Sequence, residues 1–285
     1  MRHHAHAPGL DASLGAQADA AADLLAGHLV AVLTGAGLST DSGIPDYRGE
    51  GAPKRAPMTW QTFSGSENAQ RRYWAGGHLG WRRFAAAQPN GGHRALAELE
   101  HEGVTNGVIT QNVDGLHVRA GSKRVVALHG SGDRVRCLAH GHELPRAEIE
   151  AQIGRSNPWL DAMSTDAALN PDGDAEVAAY DRLVLPRCPV CGAAIRPDVV
   201  FFGELVPAER FAKAAAMVEE ASALLVAGSS LVVNSGIRIV ERARREHKPI
   251  VIINRGITRA DGRSVLKLDA GTSELLSAIR DRLRR

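Results

Sequence analysis

Gly35-Ala36-Gly37-Leu38-Ser39 follows directly on the apolar run Leu29-Val30-Ala31-Val32-Leu33. A buried strand that empties into a Gly-rich turn is where a parallel α/β sheet binds a nucleotide, because bare backbone N–H groups and a helix N-terminus meet the pyrophosphate there. The hydride-dehydrogenase spacing is not met: its last glycine position holds Thr40, and the next glycine is Gly43. Nor does an acidic residue end a second apolar strand about 20 residues later to hold a ribose. The turn runs instead into Gly43-Ile44-Pro45-Asp46-Tyr47-Arg48, a loop that can fold over a ligand.

A second polar group gathers past other expected strands. Gln111, Asn112 and Asp114 follow the strand expected over 104–109, and His129 follows one expected over 125–128. Singly, each could be a loop cap or a satisfied core group. Jointly they face the Gly-rich turn, where an imidazole can take a proton from a ribose hydroxyl. A third set is Cys188-Pro189-Val190-Cys191 with Cys137-Leu138-Ala139-His140, a Cys3His donor set for tetrahedral zinc in which His142 could replace His140. A redox pair is the rival reading of Cys188 and Cys191, although no thioredoxin-like pattern surrounds them. Four protein ligands leave no open position, so a zinc site of this kind is structural.

The elements that must position these groups form an α/β pattern. A helix is expected over 19–27, then the first strand and its turn, a loop to about residue 57, and a helical insertion over 59–88. That insertion carries Trp60, Phe63, Tyr73, Trp74, Trp81 and Phe84, half of the chain's aromatic side chains, which either line a pocket or fill a small core. A helix over 92–102 precedes the strand at 104–109. From 131 to 197 Gly, Pro, Asp and the three cysteines interrupt the apolar periodicity, as in a small module stapled by metal. Strands are then expected at 198–202, 223–227, 250–253 and 265–268, with helices at 207–219, 234–247 and the C-terminus.

With 285 residues, 44% apolar and only 4% aromatic, the core must be mainly Ala, Leu and Val. A formal net charge of +2 argues against a dedicated nucleic-acid or membrane binder. No apolar run reaches membrane-span length, the first residues lack a signal-peptide core, and three cysteines suit a reducing compartment; a cytoplasmic protein is expected. Residues 1–18, which include His3, His4 and His6, are expected to be disordered.

Several of these motifs occur in one order: the Gly35–Ser39 and Gly43–Arg48 runs, Thr110-Gln111-Asn112-Val113-Asp114-Gly115-Leu116-His117, Leu128-His129-Gly130, the Cys-x-x-Cys, residues 197–204, and Gly228-Ser229-Ser230-Leu231. In that order they resemble the sirtuins, over about residues 19–283. The resemblance implies a Rossmann-like parallel sheet (about 19–57, 89–130 and 198–285) with a smaller part made of the helical insertion and a zinc module (58–88 and 131–197). It implies NAD as a consumed co-substrate and acyl-lysine proteins as partners. Gly35, Ala36 and Gly37 would cradle phosphate, and Asp46, Tyr47 and Arg48 would cover the dinucleotide. Gln111 and Asn112 would contact the nicotinamide ribose, and Ile44 and Asp114 the nicotinamide amide. Ser229, flanked by Gly228 and Ser230, would lie at the adenosine side, Asn254 with Arg255 and Gly256 at the adenosine ribose, and Thr272 near the adenine. Val200, Phe201, Phe202, Gly203 and Glu204 would pair with the substrate peptide as a strand. His129 would be the general base, with Asn112 beside it, in a deacylation that releases nicotinamide and O-acyl-ADP-ribose.

Within the family the chain is most similar to the class II mitochondrial-type sirtuins with lipoamidase and ADP-ribosyltransferase activities. The Tyr-x-x-Arg pair of desuccinylating relatives is Tyr73-Trp74-Ala75-Gly76 here, so apolar or lipoyl-like acyl groups are expected. Two alternatives use the same site: protein mono-ADP-ribosyl transfer, and a non-enzymatic NAD or ADP-ribose sensing module.

Overall fold

The computed structural model describes residues 13–47, 57–163 and 174–284. Ser13 caps α1 (Leu14–Leu25) by accepting the Ala16 N–H, so the first helix begins earlier than expected and residues 13–18 are not disordered. Next come β1 (Val30–Thr34), α2 (Trp60–Gly65), α3 (Glu67–Ala86), α4 (Gly91–His101), β2 (Thr105–Thr110), α5 (Leu116–Arg119) and β3 (Val125–Ala127). A second group contains β4 (Gly130–Cys137), β5 (Glu143–Pro145), α6 (Arg146–Ser156), α7 (Pro158–Asp161) and β6 (Ile195–Val199). The chain closes with α8 (Ala208–Glu220), β7 (Ala223–Ala227), α9 (Asn234–Arg245), β8 (Ile250–Ile253), β9 (Leu266–Leu268) and α10 (Thr272–Leu283).

Six strands form one parallel sheet in the order β3-β2-β1-β7-β8-β9. Side chains alternate across each strand, so Val30 and Val32 pack with α1, α4 and α10 on one face. Ala31 and Leu33 pack with α8 and α9 on the other. Apolar strands covered on both faces are what parallel pairing requires. The strand order reverses between β1 and β7, and the crevice outside their C-terminal ends is the ligand position of such sheets.

The strand expected at 198–202 differs. It lies at Ile195–Val199 and pairs antiparallel with β4 in a separate three-stranded sheet, β5-β4-β6. The run Val199-Val200-Phe201-Phe202 reads as a buried parallel strand, but α3 and α6 build a distinct apolar cluster against the small sheet, with Trp74, Val135, Ile149 and Ile153 at its centre. Among the described residues no helix is long and apolar enough to cross a membrane.

Gly130 joins the two sheets, since it directly follows His129 and opens β4. Its φ is +87°, and an added Cβ would overlap the Asp198 carbonyl oxygen on β6. Gly27 also has positive φ, +75°, but open space around it. Gly27→Ala should therefore cost about 1 kcal/mol of backbone strain. Gly130→Ala should cost well above 2 kcal/mol by denaturant unfolding, because backbone clash adds to strain.

Candidate active site

The turns after β1 and β7 touch. The Gly37 N–H donates to the Gly228 carbonyl at 2.9 Å, and Gly35 N–H donates to Ala227. A Cβ on Gly35 would stand 2.8 Å from both the Gly228 oxygen and Ser229 Cβ. The floor of the crevice is thus bare backbone, into which a pyrophosphate can settle. Thr272, at the start of α10, donates from its hydroxyl to the Gly37 carbonyl at 3.3 Å and ties that helix N-terminus to the same turn.

Polar side chains wall the crevice. Asn112 Nδ2 donates to the Gly35 carbonyl (3.0 Å) and to Ser39 Oγ (3.1 Å), and Ser39 donates to Asp114 Oδ2 (2.7 Å). The other Asp114 oxygen accepts the Leu116 N–H at 2.8 Å. Burial pushes the Asp114 carboxyl above the usual carboxylate range, against the pull of these donors. Ile44 is buried beside Phe84 and Leu116. Ser229 donates to Gln111 Oε1 at 2.7 Å, which joins the ends of β2 and β7 across β1. Asn254 is buried after β8, where its amide bonds the Arg255 and Gly256 carbonyls. Ser230, in the same turn as Ser229, accepts the Arg259 N–H on its carbonyl.

His129 lies at the mouth of this crevice. Its Nε2 is 2.8 Å from the Ser235 hydroxyl on the first turn of α9. Burial pulls its pKa below the ordinary value of 6.5, against a hydrogen bond to the Gln111 backbone, so the imidazole is neutral and suited to accept a proton. Its carbonyl accepts the Val200 N–H at 2.8 Å.

The expected peptide-pairing segment is not a strand here. Phe201 N–H donates to Glu204 Oε2, the Arg196 guanidinium holds both Glu204 oxygens, and Phe202 makes a single parallel bridge to Thr59. Gly203 has φ +84°, which turns the chain. Glu204 therefore closes a turn. Tyr47 leans its ring edge on Phe202 at 5.8 Å, bringing the loop after β1 against this segment, and Asp46 precedes it. Arg48 lies outside the described residues.

Five soft donors converge in the small sheet. Cys137, His140, His142 and Cys191 have ligand atoms within 4.8 Å of one another. Cys137 and Cys191 sulfurs are 3.5 Å apart. Cys188, expected in the set, stands outside that quartet with its sulfur 3.4 Å from His142 Nδ1. His142 enters because its carbonyl accepts the Cys137 N–H at 2.9 Å, which folds the turn inward. Gly141 (φ +70°) and Gly192 (φ +73°) follow His140 and Cys191 in matching knuckle turns. Backbone N–H groups of the first turn, His140 foremost, push the Cys137 thiol down to about 6. The chemistry of this donor set fits zinc.

Ser39 and Ser235 were not singled out from sequence. Ser39 lay inside the Gly-rich motif, whereas Ser235 becomes visible only when α9 brings it to His129. Behind the site two further histidines are buried, His93 on α4 and His117 on α5.

A family model described as the Sir2 family matches residues 35–235. The NAD-dependent protein deacetylase 1 of Streptomyces coelicolor is 49% identical over 267 residues, spanning 92% of this chain and 88% of that protein. The protein of the same name from Mycobacterium avium is 48% identical over 264 residues, with 91% and 93% covered. A solved Sir2 complex with a p53 peptide and NAD+ aligns with a TM-score of 0.71 at 30% identity, over 91% of this chain and 95% of that one. Another, solved for the mechanism and regulation of Sir2 enzymes, gives 0.73 at 31% identity over 94% and 98%. The fold and site define a nucleotide-binding parallel α/β protein with a Cys/His-stapled second sheet. The chain belongs to the Sir2 family.

The buried imidazoles set an acid limit. Burial pushes His93 down to about 4, helped by Arg94 and Arg119, holds His117 well below 6.5, and lowers His129. The unfolded chain binds these protons first, so the stabilisation is complete above pH 6.5 and is lost as pH falls toward 4. His93 alone contributes on the order of 3 kcal/mol to that loss. His78 opposes it: burial lowers its pKa, but Glu150 and Asp161 outweigh burial and raise it. Urea midpoints should fall steeply between about pH 6.5 and 4, and His93→Phe should flatten the fall.

Proposed function

We propose that this chain is an NAD-dependent protein-lysine deacylase, and that His129 is the general base acting on the nicotinamide ribose. The observation that carries the reading is the placement of a neutral, half-buried imidazole, with Nε2 toward the crevice-side Ser235, beside the walls built by Gln111, Asn112 and Asp114. The relatives named as NAD-dependent protein deacetylases, and the family complex with both a peptide and NAD+, support it. Asn112 and the Gly35–Gly37 backbone hold the ribose and pyrophosphate, and Asp114 with Ile44 receives the carboxamide. Gln111 joins Asn112 at the nicotinamide ribose, and Ser229 and Asn254 line the adenosine half, with Ser230, Arg255, Gly256 and Thr272 around it. Residues Val200 to Glu204 flank the peptide.

In the reaction we assign, the amide oxygen of the acyl-lysine displaces nicotinamide at the ribose carbon, and His129 takes the proton of a ribose hydroxyl. The crevice supplies orientation and excludes water. The deprotonated ribose oxygen then attacks the imidate carbon, and one water molecule admitted after nicotinamide has left completes the reaction, so that nicotinamide, free lysine and O-acyl-ADP-ribose are the products. Cys137 and Cys191, completed by two of His140, His142 and Cys188, would hold a zinc ion that staples the small sheet and takes no part in the chemistry. Its removal by a chelator should lower the melting temperature, with about one zinc per chain released.

Acyl preference follows from α3. Three residues after Tyr73 stands Gly76, where an added Cβ would overlap the Ala175 carbonyl oxygen, so no arginine fits. The buried Arg146 guanidinium, which bonds Tyr73, is already neutralised by Glu150. Tyr73 itself packs on Phe63 and Phe201. Among the described residues this aromatic wall offers no free cation, which favours apolar or lipoyl-like chains over carboxylated ones.

Incubation with NAD+ and a panel of acyl-lysine peptides, read by mass spectrometry for nicotinamide and freed lysine, tests both levels. Turnover of acetyl or longer apolar acyl groups should exceed succinyl by more than about tenfold. Preference for succinyl would overturn the acyl assignment, and NAD+ cleavage with label transferred to protein but no deacylated peptide would replace deacylation by ADP-ribosyl transfer. His129→Ala should lower deacylation by about 100-fold or more while ADP-ribose binding stays within a few-fold.

A further inference from the structure

His93 and His117 lie directly behind the crevice, 0% and 2% exposed, with ring centroids 4.9 Å apart at 61°. Each has one ring nitrogen bonded and one buried nitrogen without a protein partner, His93 Nε2 and His117 Nδ1. Their bonded sides determine what the orphaned sides must be. His93 Nδ1 accepts the Asn90 N–H at 3.4 Å, as one half of the α4 capping box. A neutral ring that accepts at Nδ1 carries its proton on Nε2, so the orphan of His93 is a donor. His117 Nε2 is 2.9 Å from Thr34 Oγ1, and that hydroxyl spends its single proton on Thr110 Oγ1, also at 2.9 Å. Thr34 must therefore accept from His117, which places the His117 proton on Nε2 and leaves Nδ1 an acceptor.

The two orphans are complementary, a buried donor and a buried acceptor on rings in edge contact, and they are not bonded to each other as the rings stand. Leaving both unmade is costly, and joining them satisfies both. We propose that His93 and His117 are positioning residues of the dinucleotide site, linked donor to acceptor from His93 Nε2–H to His117 Nδ1. The link completes one directed chain. It starts at the Asn90 N–H, passes through both rings and Thr34, and ends on Thr110 Oγ1, which also accepts the Asn112 N–H at 3.1 Å. The other end also reaches the site, because Asn90 Nδ2 donates to the Leu38 carbonyl (2.7 Å) and to Ser42 Oγ (3.0 Å) in the turn after β1. One chain thus sets the phosphate turn and Asn112 relative to each other. Burial keeps both rings neutral, so the tautomers stay fixed at working pH.

The inference rests on the dinucleotide site proposed above, and its test avoids peptide turnover. In ¹⁵N-labelled full-length protein at about pH 6, long-range proton–nitrogen correlations should show both rings neutral and both protonated at Nε2. A His117 proton on Nδ1 would overturn the chain, since two donors would then face each other. Calorimetry with ADP-ribose then compares His117→Gln, whose amide can still donate to Thr34, with His117→Leu, which cannot. Affinity should fall about tenfold in the leucine variant and less than about threefold in the glutamine variant, although both lose similar thermal stability. Equal affinity in the two variants would reduce the histidines to core filling. ADP-ribose binding in the expected pattern without deacylation would sink the deacylase reading alone.

Discussion

Contact between two turns, one after β1 and one after β7, is the constraint on which the site depends. Parallel strands at the centre of the sheet send their connections to opposite sides, and the gap left between those connections receives the ligand. Here the turns approach so closely that the Gly37 N–H donates to the Gly228 carbonyl. A Cβ on Gly35 would press on Ser229, and one on Gly228 would overlap the Leu38 nitrogen. Side chains are excluded from the floor, and the polar chemistry moves to the walls. Those walls come from neighbouring strand ends, Gln111 to Asp114 after β2 and His129 after β3.

The walls are held by two different means. On the parallel-sheet side, short polar residues are chained to one another and to the backbone: Asn112 to Ser39, Ser39 to Asp114, Ser229 to Gln111. Buried polar groups arranged in this way fix one geometry, because each broken link leaves an unsatisfied atom behind. On the other side, β4 leaves His129 through Gly130 and runs to Cys137, so His129 and the Cys/His cluster lie at opposite ends of one strand. A zinc ion held at that far end would stiffen the element that carries the imidazole.

Much of the candidate site is legible in the sequence because strand-end polarity is a local signal. The Gly-rich turn, Gln111, Asn112, Asp114 and His129 each follow a short apolar run, and such runs seldom end in that way by accident. Strand β6 was misplaced for the converse reason. Its Arg196 and Pro197 read as part of the broken 131–197 stretch, yet Arg196 is held by Glu204, and Asp198 next to them by Arg210 at 2.8 Å, so tertiary ion pairs accept charges that a pattern would reject. The start of α1 was placed late because Gly15, Ala16 and Gln17 give little amphipathic contrast, while its packing against α10 is long-range. Ser235 and the His93–His117 pair depend on contacts between distant elements, for which spacing along the chain carries no signal.

A structure with ADP-ribose and an acyl-lysine peptide bound tests the central claim most directly. The account predicts that His129 Nε2 exchanges its Ser235 partner for a ribose hydroxyl at about 3 Å, with the acyl oxygen beneath the same sugar. A ring that keeps Ser235 and turns from a ribose bound elsewhere would contradict it.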